Sequence, residues 1–248
     1  MPEAKETIEN IGFGGLKLIQ SADGFRFGVD AVLLSDFANR FCGSALEIAD
    51  LGTGNGIIPM ILSHKNSACH ITGFDVQQQA VDMAGRSCEL NSLNGRLDFF
   101  CCDVKNISAE YPELTGNMDA VVSNPPYIAR GSGMVSDKDG LRIARQESSA
   151  DLEDFMLAAS LLLKERGHFF MVYRPSRLVD VFYYGRKHGL EAKDMRFVTP
   201  REGGKANIVL VHFVLGGGHE LNIMEELPVR DPEGNYSPEI MGIYEKTG

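Results

Sequence analysis

The stretch "ADLGTGNGII" (residues 49–58) decides the fold. An apolar run ends at Asp50, glycines follow at positions 52, 54 and 56, and a second apolar run begins. Such glycines let the backbone turn sharply from a strand into a helix, so that a ligand can approach the helix N-terminus. The spacing G-x-G-x-G differs from the G-x-G-x-x-G of dinucleotide enzymes, so the stretch alone is also compatible with a purely structural turn.

Strands and helices alternate on both sides of this loop. Apolar runs predict five strands, at 46–51, 70–75, 97–102, 118–123 and 168–173. Patterns with helical spacing predict a helix at 56–63 between the first two strands and a helix at 77–91 between the second and the third. Alternation of this kind requires right-handed crossovers, and it predicts an α/β fold with a doubly wound, mostly parallel sheet. Phe197 and the run 206–215 predict a closing antiparallel pair.

The region after the fourth strand contains the clearest helix, at residues 151–167. Its apolar positions form one stripe, Lys164 and Arg166 are expected in its last turn, and Gly167 is expected to end it. A further helix is expected to start at Pro175 and to end at Gly189.

The N-terminal part predicts a hairpin at 15–28 across an Asp-Gly turn, followed by a short helix at 29–41. We therefore expect a single structural domain in three parts. Residues 1–45 form a hairpin and helix extension packed on the core, residues 46–215 form the α/β domain, and residues 216–248 form an irregular C-terminal cover.

The composition is that of a globular protein with a sizeable core, since 44% of the 248 residues are hydrophobic and 23% are charged. No apolar run is long enough to span a bilayer, and the polar, acidic N-terminus does not resemble a secretory signal. The five cysteines form no metal-binding pattern and indicate reduced thiols. We expect a cytoplasmic protein with no membrane partner and no metal site, and we favour a monomer.

The charge distribution is uneven along the chain. The net charge of −10 argues against broad, non-specific binding of nucleic acid. Residues 130–205, however, contain 14 Lys and Arg against 11 Asp and Glu, a local charge of +3. A basic face on an acidic body is one interpretation, and a solvated surface of mixed charge is the other.

Polar residues follow the second and third predicted strands at the positions where ligands bind in such sheets. Asp75, followed by Val76, lies 25 residues after Asp50 and could accept hydrogen bonds from a ribose diol. Asp103, followed by Val104, could accept from an exocyclic amine of adenine. Each aspartate could instead be the N-cap of the next helix.

The fourth strand ends in Asn124-Pro125-Pro126-Tyr127. Two prolines remove two N–H donors and hold the chain in an extended corner. The amide oxygen of Asn124, the carbonyl of Pro125 and the ring of Tyr127 would then form a site for a planar group that bears an NH₂. A proline-terminated strand with a packing tyrosine is the alternative.

Together these residues resemble the S-adenosylmethionine-dependent methyltransferases that modify amino nitrogens. The segment "FRFGVDAVLL" (25–34) is similar to the one that closes over the methionine end of the cofactor, and "IARQES" (143–148) follows the Asn-Pro-Pro-Tyr motif. The combination most resembles the bacterial tRNA1(Val) (adenine-37-N6)-methyltransferase family, from about residue 11 to about residue 244.

The resemblance implies a Rossmann-like class I methyltransferase sheet, S-adenosylmethionine as cofactor and tRNA as substrate. The reaction would be methyl transfer to the N6 amino group of an adenine, with Asn124, Pro125, Pro126 and Tyr127 as the catalytic residues. The cofactor would be bound by Asp30, Asp50, Gly52, Thr53, Gly54, Asn55, Gly56, Asp75, Val76, Asp103, Val104 and Asn124. For Asp30 a role as helix N-cap is the alternative.

Six basic residues are candidates for contacts with RNA phosphates: Arg142, Arg145, Arg174, Arg177, Arg186 and Lys187. Each could instead be an ordinary solvated charge.

Three other functions fit parts of the pattern. A protein-glutamine N5 methyltransferase acting on release factors would use the same corner, but the enzymes of that family have a substantial helical domain before the glycine loop, whereas here the loop begins after 51 residues. An rRNA or DNA amino-methyltransferase is the second alternative, although a sequence-specific DNA enzyme would normally need an additional recognition domain. A non-enzymatic binding module is the third, and Asn124 and Tyr127 argue against it.

Overall fold

A mixed sheet of nine strands organises the parts of the chain that the structure, a computed structural model, describes: residues 6–22, 28–42, 45–126 and 150–245. The strands in chain order are β1 (Glu6–Asn10), β2 (Lys17–Ser21), β3 (Glu47–Leu51), β4 (His70–Asp75), β5 (Leu97–Cys101), β6 (Met118–Ser123), β7 (Leu163–Tyr173), β8 (Leu190–Thr199), β9 (Ile208–Leu215), β10 (Asn222–Ile223) and β11 (Leu227–Pro228). The helices are α1 (Val29–Cys42), α2 (Ile57–Lys65), α3 (Gln78–Leu90), α4 (Ile107–Glu110), α5 (Leu152–Leu162), α6 (Leu178–Lys187) and α7 (Pro238–Ile243).

The order of the strands confirms the predicted fold class. The large sheet runs β10-β8-β9-β7-β6-β3-β4-β5, with β11 beside β8. Strands β5, β4, β3, β6 and β7 are parallel, and β9 is antiparallel to both β7 and β8. From β3 the chain first builds outward through β4 and β5 and then returns to place β6 on the other side of β3. The switch point of the sheet therefore lies between β3 and β6, where ligands bind in this class of sheet.

Helices cover both faces of the sheet and bury its alternating side chains. Ile48 and Val122 pack on one face with apolar residues of α1 and α2. Ala49 and Val121 pack on the other face with apolar residues of α5 and α6. Burial on both faces explains why these strands are continuous apolar runs.

The hairpin predicted at 15–28 is only partly covered by the described residues. Strand β2 forms as expected, and within those residues it pairs with β1, which precedes it, with Ile8 opposite Ile19. The expected Asp-Gly turn lies outside the described residues. The two strands are fixed on α3, because the Ser87 hydroxyl accepts a hydrogen bond from the Ile19 N–H at 2.9 Å.

The helix predicted at 151–167 is shorter than expected. It ends at Leu162, and residues 163–167, including Lys164, Arg166 and Gly167, begin β7 instead. Leu163 pairs with Met118 of β6, and the Lys164 ammonium forms an ion pair with Asp119. Pairing with a neighbouring strand has thus overridden the helical propensity of the segment.

The C-terminal stretch, predicted to be irregular, contains regular elements. Strands β10 and β11 pair with β8, and α7 follows them. Glu239 of α7 accepts two hydrogen bonds from the guanidinium of Arg196, at 2.6 and 2.7 Å, and one from Arg40 at 2.9 Å. The ring of Tyr244 stacks on Phe13 with their centroids 6.4 Å apart, so the tail is attached to the N-terminal part of the chain.

Candidate active site

The glycine loop between β3 and α2 is held by backbone hydrogen bonds to the neighbouring strand. The N–H groups of Gly52 and Thr53 donate to the Phe74 carbonyl at 2.8 and 2.9 Å. Gly54 has a φ of 55°, in the left-handed region that favours glycine, and nothing within 4 Å would meet a Cβ at this position. The loop therefore turns sharply and leaves open space beside Gly54, as a ligand that approaches the backbone requires.

Asp75 at the end of β4 fixes this loop. One of its carboxylate oxygens accepts from the Gly54 N–H and the other from the Gln77 N–H, both at 2.9 Å. Helix α3 begins at Gln78, with Gln77 at its N-cap, so Asp75 is not the helix cap that was the alternative. Each oxygen has a second lone pair that could accept from a hydroxyl. Val76, the next residue, is half-buried.

Asp50 is fully buried, and neither of its oxygens has a hydrogen-bond partner of ordinary geometry within the described part of the chain. Burial raises the pKa of Asp50 to about 7, the nearby Thr53 hydroxyl opposes that shift, and the charge of Asp75 adds to it. The buried Thr53 hydroxyl likewise lacks a partner in those residues. A buried carboxyl without a partner is costly unless a ligand completes it. A cationic group, such as the ammonium of S-adenosylmethionine, fits this requirement.

Asp103 and Val104 follow β5 on the same edge of the sheet. The Cys102 N–H donates to the Asp75 carbonyl at 2.9 Å, which brings the ends of β4 and β5 together. One oxygen of Asp103 accepts from the Lys105 N–H at 3.0 Å, and the other lies 3.4 Å from the Lys105 ammonium. Helix α4 begins only at Ile107, so Asp103 is not a helix cap; Val104 is buried.

Asn124 and the two prolines after it, which we call the Asn124 corner, are next to the glycine loop. Leu51 and Ser123 are paired in register, and the Ser123 hydroxyl donates to the Leu51 carbonyl at 2.8 Å. Asn124 is thus the first residue beyond the point where β3 and β6 are tied together. Asn124 and Pro126 are half-buried and Pro125 is buried, whereas Tyr127 lies outside the described residues.

Asp30 lies in the first turn of α1, one residue after its start at Val29, and so is not the N-cap of this helix. It is close enough to Tyr244 for its charge to contribute, after burial and Tyr236, to raising the pKa of Tyr244 to about 12. Residues 25–27 of the similar segment lie outside the described residues.

The predicted RNA-binding residues have different surroundings. Arg142 and Arg145 lie outside the described residues. Arg174 directly follows β7 and donates to the Asn207 carbonyl at 3.0 Å. The others form ion pairs: Arg177 with Asp180, Arg186 with Glu191 and Lys187 with Glu153.

Sequence reasoning missed the side chains that pack around the loop. A Cβ on Gly52 would lie 3.5 Å from the Phe155 ring of α5, and one on Gly56 would lie 3.0 Å from the Phe99 ring of β5. Both rings come from distant parts of the sequence, so no local pattern could identify them.

Among the described residues, no group of three or more His, Cys, Asp or Glu side chains is arranged to hold a metal ion. None of the helices in that part of the chain combines the length and apolarity needed to cross a membrane.

A family model described as "Methyltransferase small domain" matches residues 21–179, more than half of the chain. The chain belongs to the methyltransferase small domain family. This assignment confirms the methyltransferase class that the motifs indicated. The matched residues include the glycine loop, Asp75, Asp103 and the Asn124 corner.

Curated relatives of the chain carry the name tRNA1(Val) (adenine(37)-N6)-methyltransferase. The protein of Aeromonas hydrophila is 26% identical over 214 residues, which cover 86% of this chain and 85% of the relative. The protein of Porphyromonas gingivalis is 27% identical over 175 residues, which cover 69% of this chain and 67% of the relative. These matches agree with the resemblance that the motifs suggested.

A solved structure also shares the architecture. The crystal structure of a protein of Agrobacterium tumefaciens, described as a predicted O-methyltransferase, superposes with a TM-score of 0.71 at 21% identity and covers 88% of this chain and 96% of that one. At this identity the likeness shows the fold, and it supports the class I methyltransferase sheet.

Proposed function

We propose that this methyltransferase transfers a methyl group from S-adenosylmethionine to the N6 amino group of an adenine in tRNA, most specifically adenine 37 beside the anticodon of tRNA(Val). The proposal rests on the hydrogen bond from the Ser123 hydroxyl to the Leu51 carbonyl at 2.8 Å. Because of this bond, the Asn124 corner lies beside the glycine loop at the switch point of the sheet. The names of the curated relatives support adenine N6 and tRNA as the target. Such a substrate would be met in the cytoplasm.

The cofactor supplies an electrophilic methyl group on a sulfonium, and the protein supplies orientation and electrostatics. Asp75, held beside the glycine loop by its hydrogen bonds from the Gly54 and Gln77 N–H groups, would accept from the ribose hydroxyls. Asp103 would accept from the adenine amine of the cofactor, and the buried Asp50 carboxyl would pair with its ammonium. Asp50 would then be ionised in the complex, since an opposite charge lowers a raised carboxyl pKa.

The Asn124 corner would activate the target amine. The lone pair of an adenine N6 is delocalised into the ring, which makes this nitrogen a poor nucleophile. If the Asn124 amide oxygen and the Pro125 carbonyl accept its two hydrogens, the lone pair can be directed at the methyl group. Fixed acceptors also stabilise the positive charge that develops on the nitrogen, so no strong general base is needed before transfer.

Tyr127 would stack on the extruded base. Removing a base from its neighbours costs little in an RNA loop, and stacking on an aromatic ring contributes about 1–3 kcal/mol per base.

The test is to incubate the purified protein with methyl-labelled S-adenosylmethionine and, separately, with total bacterial tRNA, total rRNA and a peptide-release factor. We expect label in tRNA, recovered as N6-methyladenosine after digestion to nucleosides. Label in the release factor alone would identify a protein-glutamine methyltransferase, and label in rRNA alone would identify an rRNA enzyme; either result would reject the tRNA assignment.

A further inference from the structure

Four basic side chains, Arg174, Arg201, Lys205 and Arg230, lie along the edge of the sheet on which β6, β7 and β8 end; we refer to them as the cationic rim. We propose that the cationic rim binds the phosphate backbone of the RNA beside the target adenine. This inference rests on the proposed function and adds to it the surface that holds the substrate.

The topology places the rim beside the Asn124 corner. Strands β6 and β7 are parallel and neighbouring, with Ser123 opposite Met171, so the β7 end that carries Arg174 lies on the same edge as Asn124. Arg174 donates to the Asn207 carbonyl at 3.0 Å, at the end of the loop 200–207 that joins β8 and β9. Neighbouring strands lie about 4.8 Å apart, so the start of β9, two strands away, is on the order of 10 Å from the corner.

Arg230 of the C-terminal tail is connected to the same loop. The Arg230 carbonyl accepts from the Glu202 N–H at 3.1 Å. The Arg230 guanidinium lies 4.7 Å from the centroid of the Tyr236 ring, which stacks in turn on Tyr244 at 6.1 Å. Arg230 is exposed, and its guanidinium lies over an aromatic ring; unstacked RNA bases stack on guanidinium planes and aromatic rings.

Arg201 and Lys205 carry charges that no carboxylate of the described residues pairs with. Both side chains are exposed. Arg186 and Lys187, in contrast, are paired with Glu191 and Glu153.

Four acidic residues lie within four positions of a rim residue in sequence: Glu202, Glu226, Asp231 and Glu233. The Asp231 carboxylate accepts from the Asn235 N–H at 2.8 Å and the Glu226 carboxylate accepts from the Thr199 hydroxyl at 2.9 Å, whereas Glu202 and Glu233 are exposed. In a chain with a net charge of −10, Arg201 and Lys205, which form no ion pair with any carboxylate of the described residues, mark a place where an anionic polymer can approach.

The experiment compares a double variant, Arg201→Gln with Lys205→Gln, with a matched double variant, Lys164→Gln with Arg166→Gln, whose residues are exposed at the start of β7, on the opposite edge of the sheet. Both pairs remove two positive charges. The dissociation constant for unfractionated bacterial tRNA is measured from 50 to 200 mM KCl, together with KM and kcat for tRNA and the affinity for S-adenosylmethionine. A plot of the logarithm of the tRNA association constant against the logarithm of the salt concentration has a negative slope. For the rim variant we expect this slope to become shallower by about 2, because each lost phosphate contact reduces its magnitude by about 1. The KM for tRNA should rise severalfold, while kcat and the cofactor affinity are retained.

The matched variant should behave like the wild-type protein. An unchanged tRNA affinity and salt slope in the rim variant, or an equal change in the matched variant, would overturn the inference. If the wild-type protein binds tRNA but transfers no methyl group to it, the proposed function is wrong. The comparison of tRNA affinities between the variants would still test whether the cationic rim binds RNA. Retained cofactor affinity shows that the variants are folded.

Discussion

The Asp75 carboxylate accepts the Gly54 N–H at 2.9 Å, so an aspartate at the end of β4 determines the shape of the loop that follows β3. The same carboxylate accepts the Gln77 N–H. Asp75 therefore has two roles in the proposed mechanism: it holds the conformation of the glycine loop, and its oxygens would accept hydrogen bonds from the ribose hydroxyls.

Replacing Asp75 with Ala should weaken the binding of S-adenosylmethionine by at least tenfold. The change removes the acceptor of two backbone N–H groups together with the acceptors proposed for the ribose, and each hydrogen bond to a charged group contributes about 1.5–3 kcal/mol. Calorimetric titration measures the effect. Asp82→Ala, on the exposed side of α3, is the control and should bind the cofactor normally. Unaltered affinity of the Asp75 variant would refute its role.

Replacing Asn124 with Ala should reduce the rate of methyl transfer by about 10²–10³-fold in protein that is saturated with S-adenosylmethionine, so that a loss of cofactor affinity does not contribute to the effect. This is the usual loss when one preorganised hydrogen-bonding group is removed from a developing charge. Single-turnover kinetics with tRNA measures the chemical step. The control is Asn117→Ala, since Asn117 is an exposed asparagine whose amide donates to the Glu113 carbonyl at 2.7 Å. An unchanged rate in the Asn124 variant would remove that residue from the mechanism.

Asp50 should make the free protein less stable as the pH rises. Burial raises its pKa from 3.8 to about 7, so the folded state binds a proton that the unfolded state has released between these values. The free energy of unfolding contributed by this group is present below about pH 4 and is lost as the pH rises through 7, on the order of a few kcal/mol in total. Urea titrations at pH 5 and pH 8 should show a fall that Asp50→Asn abolishes. The exposed Asp98→Asn is the control, and an identical pH dependence in the wild-type protein and the Asp50 variant would contradict the prediction.

His212 should make the protein less stable as the pH falls, which is the opposite of the effect expected for Asp50. It accepts from or donates to His168 at 2.9 Å and pairs with Asp194 at 2.8 Å. Burial lowers the pKa of His212 below 6.5, and Asp194 only partly opposes this. The unfolded state therefore binds the proton more readily, so stability is lost as the pH falls below about 6.5, by at most about 1.4 kcal/mol per pH unit. The difference in the free energy of unfolding between the wild-type protein and His212→Gln should shrink from pH 7.5 to pH 5.5 in urea titrations, and a difference that is constant over this range would contradict the prediction.

Replacing Glu239 with Ala should destabilise the fold by about 2 kcal/mol, because it leaves the charge of the buried Arg196 without its carboxylate. The Arg196 hydrogen bonds hold the pKa of Glu239 down at about 2, so the pair persists at moderately acidic pH. Chemical denaturation at neutral pH measures the loss, and the exposed Glu233→Ala should have an effect below 0.5 kcal/mol, as is about the norm for the surface. A loss of equal size in both variants would show that this ion pair does not anchor the tail.

Much of the candidate site could be predicted because its residues follow strands directly. Asp50, Asp75, Asp103 and Asn124 each lie at or just beyond the end of a strand, and in a parallel sheet such ends meet at one edge. The helix-cap alternative for Asp75 and Asp103 could be excluded only from the structure, which shows both carboxylates bound to loop N–H groups.

The helix boundary at Leu162 shows why other features could not be predicted. The residues 163–167 are compatible with a helix on local propensity, and what makes them a strand is pairing with Met118, which is 45 positions away from Leu163. The partner of β2 was missed for a similar reason, since a strand can pair with the segment before it as readily as with the segment after it.

The sequence by itself determined the parallel α/β sheet, the glycine loop and the order of polar residues at the strand ends, because these depend on local periodicity and on the conformational preferences of glycine and proline. Only the tertiary structure decided that Arg201, Lys205 and Arg230 share an edge with Asn124, and that Arg186 and Lys187 are paired with glutamates. Whether a charge is available to a ligand depends on which side chains lie beside it in space, and long-range strand pairing sets those neighbours.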